Sequence, residues 1–336
     1  MFKIDIHTHI IPQNLNNVTK HFSDDRFLVI KNFTDTSADL YKQNSMFRHI
    51  KCNCWDANYR LDDMSESSID MQVLSTIPVL FSYWSKIKES MFLYEFLNDH
   101  LHEVMCQFPS KYFALGNIPM QDTNLAIKEM DRCVNDLKLN GIQIGSNING
   151  NNLSDKKYLP VFEHAENINC PIFIHPWEVI GESSMKKYWL PWLVGMPAET
   201  SRAICSIIFG GILEKYPKLK IAFAHGGGSF PYTIGRIDKG FTMRPDLCAI
   251  DNNILPSNYL NSFYVDSLVH NIDSLEYLIK TIGYNKIALG TDYPFPLGET
   301  KPGELIKALN VADDVKQRMY AGTALEWLGI DEKKYF

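Results

Sequence analysis

Eight short apolar runs recur along the whole chain, and most of them are followed by segments whose apolar residues have helical spacing. The runs are predicted β-strands at residues 3–10, 71–78, 112–119, 140–145, 170–176, 220–226, 263–268 and 287–292. Most of them are apolar throughout and end in or beside Gly, Pro, His or Asp, which is typical of parallel strands buried on both faces. Residues 124–139 show the intervening pattern most clearly, because their apolar side chains form one stripe of a helix.

This alternation predicts an α/β fold, a (β/α)8 TIM barrel that forms a single domain over residues 1–336. A doubly wound open sheet is the alternative, but no GxGxxG motif follows the first run. Two segments are too long for simple loops and are predicted insertions: residues 11–60 after the first strand and 177–205 after the fifth. The second contains an aromatic cluster at 187–193, which predicts a helix on the barrel rim, a pocket wall or a subunit contact.

The composition excludes several classes of protein. With 45% hydrophobic and 21% charged residues, the chain has the composition of a globular protein rather than a disordered one. The net charge of −6 argues against a nucleic-acid-binding surface. No stretch approaches the roughly 20 apolar residues that cross a bilayer, and the first residues do not resemble a secretory signal. The seven cysteines are scattered without a CxxC pair, so we expect reduced thiols and a cytoplasmic location.

Four histidines and one aspartate stand at the predicted carboxyl ends of strands, where barrel enzymes build their active sites. They are His7 and His9 on the first strand, His175 on the fifth, His225 on the sixth and Asp292 on the eighth. His7 and His9 are two residues apart on a strand, so their side chains point to the same face and can reach the same ion.

Three imidazoles and one carboxylate, from His7, His9, His175 and Asp292, predict a metal site. Zinc favours such nitrogen and oxygen ligands and lowers the pKa of a coordinated water toward ~7. Iron, cobalt and manganese also accept these ligands, so the sequence does not decide which of these metals is bound. A second His-x-His, at His100 and His102, lies in a helix-like stretch where the two side chains face apart, so we expect no metal there.

His225 begins the sequence His-Gly-Gly-Gly. A similar motif lies beside the oxyanion hole of some lipases, but the chain has no G-x-S-x-G, which excludes that class. An imidazole beside the metal site has a pKa suited to proton transfer, so His225 is predicted to act as a general base. Direct coordination of the metal by His225 is the alternative.

The His-x-His of the first strand, together with His175, His225 and Asp292, resembles the mononuclear metal barrels of the amidohydrolase superfamily. Members with two metals generally bridge them with a modified lysine on the fourth strand. The fourth strand here, 141–145, reads Gly-Ile-Gln-Ile-Gly and has no lysine. The resemblance therefore implies one zinc ion per chain and no organic cofactor.

Longer stretches, from residue 1 to about 328, resemble one decarboxylase group within that superfamily. They include residues 53–56, 74–76, 81–84, 187–200, 223–228, 240–248 and 289–299. The resemblance implies a non-oxidative, zinc-dependent decarboxylase that acts as a homodimer. Its substrate would be a small, unsaturated dicarboxylate semialdehyde of tryptophan catabolism, with no nucleic-acid or membrane partner.

The same resemblance implies a role for individual residues. Zinc would be held by His7, His9, His175 and Asp292, and His225 and Asp292 would be the catalytic groups. Arg48 would bind a substrate carboxylate, and Arg236 would reach the same pocket from the neighbouring subunit. The residues expected to line the pocket are Lys42, Phe47, Trp189 and Phe295.

These assignments give each insertion an expected function. Residues 11–60 would carry substrate-binding side chains, and residues 177–205 would line the pocket or a dimer interface. A planar guanidinium matches a carboxylate well, which agrees with the two arginines. Taken without the resemblance, however, a solvated surface position is the favoured interpretation of both Arg48 and Arg236.

Three other functions stay open at this point. The same metal chemistry serves hydrolysis of an amide or a lactone. It also serves decarboxylation of an aromatic acid such as a hydroxybenzoate. An inactive homologue that acts as a binding module is the third, and the complete set of histidines and Asp292 argues against it.

Overall fold

Eight parallel strands form the centre of the fold in a computed structural model that describes residues 1–335. The barrel strands are Ile4–His9, Met71–Ser75, Tyr112–Asn117, Gly141–Gly145, Ile172–His175, Ile221–Phe223, Tyr264–Asp266 and Ile287–Ala288. Each strand pairs in parallel with the next one along the chain. The backbone N–H of Ile6 donates to the carbonyl of Leu289 (2.9 Å), and the N–H of His9 donates to that of Tyr293 (2.8 Å), which brings the eighth strand against the first. The predicted TIM barrel is confirmed, and the open doubly wound sheet is wrong.

Helices surround the barrel. The α-helices are Asn16–Thr19, Ala57–Ser67, Ile87–Gln107, Thr123–Asp131, Leu159–Asn167, Met196–Phe209, Ile212–Lys215, Phe230–Met243, Pro245–Cys248, Ile272–Ile282, Glu304–Ala308, Asp313–Gln317 and Thr323–Leu328. Three π-helical turns adjoin these α-helices directly. Arg132–Asp136 follows Thr123–Asp131, Pro191–Gly195 precedes Met196–Phe209, and Arg318–Gly322 joins Asp313–Gln317 to Thr323–Leu328. The helix predicted over 124–139 is therefore an α-helix that widens at Arg132. No helix within residues 1–335 combines the length and apolar character needed to cross a bilayer.

The amino-terminal end of the barrel is closed by the end of the chain. Phe173, inside the barrel, packs on the buried Trp327 of the last helix, with ring centres 6.0 Å apart. Tyr335 packs on Phe2, which precedes the first strand. Burial of these rings stabilises the fold by roughly 25 cal/mol per Å² of apolar surface. The carboxyl ends of the strands are left as the end at which a ligand can enter.

The first long connection, between the first two barrel strands, folds into a small antiparallel sheet. Its strands are Val29–Lys31, Ser37–Lys42 and Ser45–Lys51. Gln43 and Asn44 join the last two with φ values of +50° and +57°, as a tight hairpin whose two central residues are left-handed requires. Leu40 pairs with Arg48 across this hairpin. The hairpin therefore fixes the positions of Phe47 and Arg48 above the barrel.

The second long connection runs from Trp177 to the start of helix Met196–Phe209, so the helix begins inside the stretch predicted as an insertion. Glu199 of this helix anchors the connection. Its buried carboxylate accepts hydrogen bonds from the side chains of Ser146 (3.2 Å) and Asn147 (3.0 Å) and from the backbone of Ile180 (3.1 Å). Hydrogen bonds to a charged group are the stronger kind, so this part of the connection is firmly held.

All eight barrel strands are shorter than their predicted runs, and the difference matters most for the sixth and the eighth. The sixth ends at Phe223 rather than residue 226, and the eighth ends at Ala288 rather than residue 292. In both places the backbone turns into the left-handed region, with φ of +59° at His225 and +57° at Asp292. Apolar periodicity does not detect such a turn. These two turns set the orientations of the His225 and Asp292 side chains at the mouth of the barrel.

Candidate active site

Five side chains from four barrel strands converge at the carboxyl end of the barrel. Nε2 of His9 lies 3.0 Å and Nε2 of His7 lies 3.5 Å from the same carboxylate oxygen of Asp292. Nε2 of His225 lies 3.9 Å from the other oxygen. One ligand atom from each of His7, His175, His225 and Asp292 lies within 4.8 Å of the others. The residues that the sequence placed at strand ends are thus brought together around one point.

The proton positions of the histidines follow from what their Nδ1 atoms contact. Nδ1 of His9 faces the carbonyl of Thr76 at 3.1 Å, and Nδ1 of His175 faces the carbonyl of Pro176 at 2.9 Å. A carbonyl only accepts, so in both rings the proton is on Nδ1 and the lone pair is on Nε2. His7 has the same arrangement, with a carboxylate as the acceptor, described below.

Nε2 of His7, His9 and His175 is buried and has no hydrogen-bond partner within residues 1–335. A buried polar atom without a partner costs about 1–3 kcal/mol, so three in one place need an explanation. A cation at this point would accept all three lone pairs. The residues therefore fit a divalent metal ion, with the Asp292 carboxylate beside them.

The local charges separate the histidines into two kinds. Burial lowers the pKa of His9, and burial followed by the neighbouring histidines lowers that of His175 well below its usual range, so both imidazoles are neutral, the form that can coordinate a metal ion. Burial also acts to lower the pKa of His225, but the Asp292 carboxylate outweighs it and raises that pKa. Burial acts to raise the pKa of Asp292, and His225 and His9 outweigh it, so that pKa is well below its usual range. Asp292 is therefore a carboxylate, and His225 is the more basic imidazole.

The glycines after His225 permit the turn that orients it. Gly226 has φ +60°, and a Cβ atom there would lie 2.5 Å from the side chain of Val269. A Cβ atom at Gly228 would lie 2.3 Å from the carbonyl oxygen of Pro197. His225 itself is left-handed, a conformation that costs a residue with a side chain about 1–3 kcal/mol and is often found at functional sites. The Gly-rich motif is thus explained by packing beneath the site.

Asp266, at the end of the seventh strand, was missed by the sequence analysis. It is fully buried, and one of its oxygens lies 2.7 Å from Nδ1 of His7 and 2.8 Å from the backbone nitrogen of His225. Its other oxygen accepts from the backbone N–H of Gly226 (2.7 Å) and Leu268 (3.1 Å). The available signal was an acidic residue in the apolar run 263–268, two residues before its predicted end, and it was weaker than that of Asp292, which ends its run.

A cavity of about 360 Å³ opens above this cluster. His9, His175, His225 and Asp292 form its floor. Its wall is mainly aromatic and apolar, and it includes Phe47, Arg48, Trp177, Trp189, Trp192 and Phe295. This size and lining are those of a small-molecule site rather than a protein-binding groove.

Arg48 is a free cation in the wall of this cavity. Its guanidinium carbon lies 4.3 Å from the ring centre of Phe295, and it makes no ion pair or hydrogen bond within residues 1–335. Burial lowers its pKa, although an arginine remains charged at neutral pH. A partly buried guanidinium without an anionic partner is suited to bind an anionic ligand.

Similarity to known proteins agrees with this site. The amidohydrolase family model matches residues 4–330. This chain belongs to the amidohydrolase family. The 2-amino-3-carboxymuconate-6-semialdehyde decarboxylase of Dictyostelium discoideum is 48% identical over 334 residues, covering 99% of this chain and 93% of that protein. The enzyme of the same name from Caenorhabditis elegans is 33% identical, covering 99% of this chain and 96% of that protein.

A solved structure supports the same fold for this amidohydrolase. The dihydroxybenzoic acid decarboxylase of Polaromonas, determined with manganese and the inhibitor 2-nitroresorcinol, superimposes with a TM-score of 0.76. The match covers 100% of this chain and 99% of that one at 20% sequence identity. With its full-length decarboxylase relatives and its cluster of metal-ligand atoms, this amidohydrolase is a metal-dependent decarboxylase.

Lys42 and Arg236, the first expected in the pocket and the second expected to reach it from another subunit, do not line the main cavity of a single chain. Lys42 lines a neighbouring cavity of about 320 Å³ that shares Phe47, Trp177 and Trp192 with the main one. Arg236 is exposed on helix Phe230–Met243 and has no partner within residues 1–335. Among the residues that the sequence analysis did not name as pocket residues, Trp177, Trp192 and His270 line the main cavity.

Proposed function

We propose that this amidohydrolase converts 2-amino-3-carboxymuconate 6-semialdehyde into 2-aminomuconate 6-semialdehyde and carbon dioxide. The observation that carries the proposal is the match over 99% of the chain to a decarboxylase named for this substrate. The unpaired guanidinium of Arg48 beside the histidine cluster supports it, because the substrate carries several carboxylates. In tryptophan and kynurenine catabolism the reaction limits the formation of quinolinate, which arises from the same substrate by spontaneous cyclisation.

The proposed metal is one zinc ion per chain, held by His7, His9, His175 and Asp292. Three imidazoles with one carboxylate are a donor set that zinc prefers, whereas manganese favours a larger share of oxygen ligands. Manganese is the alternative to zinc, because the Polaromonas decarboxylase was determined with bound manganese. When bound, the ion supplies a Lewis acid and makes water at this point more acidic. No organic cofactor is part of the proposal.

The chain's own residues then move the protons. His225 takes a proton from the water that adds to C2, the carbon that bears the amino group, and Asp292, itself a carboxylate, relays a proton from solvent to C3. The bond from C3 to its carboxylate breaks, carbon dioxide leaves, and the electron pair forms the double bond between C2 and C3. The added hydroxyl leaves as water with the proton held by His225. The net change is replacement of a carboxylate by a proton, without oxidation or reduction.

The other pocket residues bind and orient the substrate. Arg48 pairs with one carboxylate, and Phe295 beneath its guanidinium keeps it in place through a cation–π contact. Phe47 and Trp189 exclude water from the wall, which strengthens each charge interaction inside. Lys42, whose ammonium lies 5.7 Å from the ring centre of Trp177, adds positive charge behind that wall.

The direct test follows the near-ultraviolet absorbance of freshly generated substrate with and without the protein. We expect decay much faster than spontaneous cyclisation, with one equivalent of carbon dioxide released and no quinolinate formed. Decay at the spontaneous rate, by protein that contains metal, would contradict the proposed substrate. Dihydroxybenzoates and lactones would then be tested, because a γ-resorcylate decarboxylase from Polaromonas is 26% identical over 214 residues.

We also propose a homodimer in which Arg236 reaches the partner's pocket. The helix that carries Arg236 and the segment that follows it expose four apolar side chains, each more than half exposed: Tyr232, Met243, Leu247 and Ile250. Large exposed apolar side chains that lie close together in sequence support a protein interface here. Gly235, next to Arg236, has open space where a side chain would be, which permits close approach of another subunit. The cytoplasm is the proposed location, in agreement with seven free thiols.

A complementation experiment tests Arg48 and Arg236 together. Arg48→Gln and Arg236→Gln are each expected to lower kcat/KM by about 10²-fold, because each leaves a carboxylate without its cation. Co-expression of the two variants with different tags gives heterodimers, and only one of the two sites in each then has both arginines. A random mixture should regain about one quarter of the wild-type activity. Activity no higher than that of either variant alone would contradict the exchange of Arg236 between subunits, and two differently tagged Arg48→Gln copies are the control.

A further inference from the structure

Asp266 is a carboxylate that contacts both the ring of His7 and the turn that carries His225. It is fully buried at the end of strand Tyr264–Asp266 and accepts four hydrogen bonds, two at each oxygen. One oxygen faces the ring of His7 and the backbone nitrogen of His225, and the other faces the nitrogens of Gly226 and Leu268. A carboxylate has about four lone-pair positions, and these four hydrogen bonds occupy all of them. Asp266 therefore has no direct role in binding substrate.

We propose that Asp266 is a positioning residue that fixes the tautomer of His7 and, through the same oxygen, holds the turn that orients His225. The proposal rests on the metal site assigned above to His7, His9, His175 and Asp292. It adds that the geometry of this metal site and the position of the general base are coupled by one side chain. Substitution at Asp266 should therefore affect both at once.

The tautomer follows from the donors around Asp266. Three of its four contacts are backbone N–H groups, which only donate, so the side chain must be the acceptor in each. The fourth contact, Nδ1 of His7 at 2.7 Å, then carries the proton, and the lone pair of His7 is on Nε2 toward Asp292. A carboxylate partner also makes the imidazole a stronger electron donor. His9 and His175 have carbonyl partners at Nδ1 instead. Among these three proposed ligands, only His7 has a carboxylate at Nδ1.

The turn after the sixth strand depends on the same carboxylate. His225 and Gly226 have φ values of +59° and +60°, and their two N–H groups both point to Asp266. Charge-assisted hydrogen bonds are about twice as strong as neutral ones and offset the conformational cost at His225. The third backbone bond, from Leu268 two residues further on, fixes the carboxylate itself. His225 is therefore held by a group that is anchored to the adjacent strand.

The first experiment compares zinc affinity in wild-type protein and in the Asp266→Asn variant by competition with a chromophoric chelator. The amide keeps the size of the side chain, but one of the two oxygens becomes an NH2 group. That group then faces N–H donors where the carboxylate accepted hydrogen bonds. If it faces His7, the ring proton moves to Nε2 and blocks the lone pair; if it faces Gly226 and Leu268, the turn is released. Zinc affinity should fall by about 10- to 100-fold. Hydrogen exchange at residues 225–228 should accelerate in the same variant.

The matched control is Asp5→Asn. Asp5 is also buried inside the barrel, and it accepts from the backbone N–H of His7 and from Thr291 but touches no imidazole ring. The zinc affinity of the Asp5→Asn variant should stay within about threefold of the wild type, because Asp5 makes no hydrogen bond to the ring of a metal ligand. An Asp266→Asn variant with wild-type zinc affinity and wild-type exchange at the turn would overturn the proposal. Both measurements are made without substrate, so they are independent of which reaction the enzyme catalyses.

A second measurement needs no variant and therefore does not depend on how well Asp266→Asn folds. In zinc-loaded wild-type protein labelled with ¹⁵N-histidine, the Nδ1 proton of His7 should give a strongly downfield NMR signal typical of a hydrogen bond to a carboxylate. The assignment comes from the loss of that signal in His7→Gln. A protonated Nε2 and a bare Nδ1 on His7 would overturn the assigned tautomer. Equal and additive losses of zinc affinity in His7→Gln, Asp266→Asn and the double variant would also overturn it, because a residue that acts through His7 must be non-additive with it.

Discussion

Replacement of His225 by alanine is expected to lower turnover by about 10²- to 10⁴-fold while the protein keeps its zinc, because a positioned general base contributes about that factor. Three observations support the proposal that His225 is the base rather than a ligand. The Asp292 carboxylate raises its pKa, whereas burial lowers the pKa of His9 and His175. Its side chain is 20% exposed, and that of His7 is not exposed at all. Its Nε2 is also farther from Asp292 than those of His7 and His9.

The measurement pairs steady-state turnover with the zinc content of the same preparation. His164→Ala is a suitable control, because His164 is bound to Asp131 (2.8 Å) on helices outside the barrel and should keep full activity. The ligand atoms of His225 lie close enough to those of His7, His175 and Asp292 for coordination. Zinc content that falls in parallel with turnover in His225→Ala would therefore make His225 a ligand and contradict its assignment as the base.

The sequence was informative about the metal centre for a geometric reason. In a parallel barrel all strands end at the same rim, so residues far apart in the chain meet if each stands at a strand end. His7, His9 and His175 satisfy this rule, and their apolar runs could be recognised from periodicity alone. The lengths of the strands could not be recognised in this way. His225 and Asp292 lie in left-handed turns, and the apolar pattern of the preceding strand shows no break where each turn begins.

Asp266 illustrates what a single sequence conceals. It lies inside the seventh predicted run, 263–268, and its role depends on which strand stands beside it and on where the backbone of His225 turns. Arg48 depends even more on tertiary structure, since it reaches the pocket only because Gln43 and Asn44 close a tight hairpin over the barrel mouth. Nothing in the local sequence distinguishes such an arginine from a solvated one. The resemblance to a family was the only guide to it before the fold was known.

Removal of the metal is expected to abolish decarboxylation and to lower the melting temperature, and return of zinc should restore both. Without the ion, Nε2 of His7, His9 and His175 is left buried without a partner. An ion that binds only the folded state stabilises it by about 4 kcal/mol when its free concentration is about 1,000 times its Kd. For a chain of this length that corresponds to a shift of roughly 5–10 °C. Loss of activity and loss of thermal stability should follow the same zinc titration.

The His7→Ala variant separates this effect from general destabilisation by a chelator. It removes one of the three buried nitrogens, so its melting temperature should hardly respond to zinc while that of the wild type rises. Manganese and cobalt, added back in parallel, rank the metals by the stability and the turnover that each restores. Full activity after the metal has been removed to below one tenth of an equivalent, together with an unchanged melting temperature, would contradict the metal site. The buried nitrogens of His7, His9 and His175 would then require another partner, and a water molecule donating to one of them would be the physical alternative.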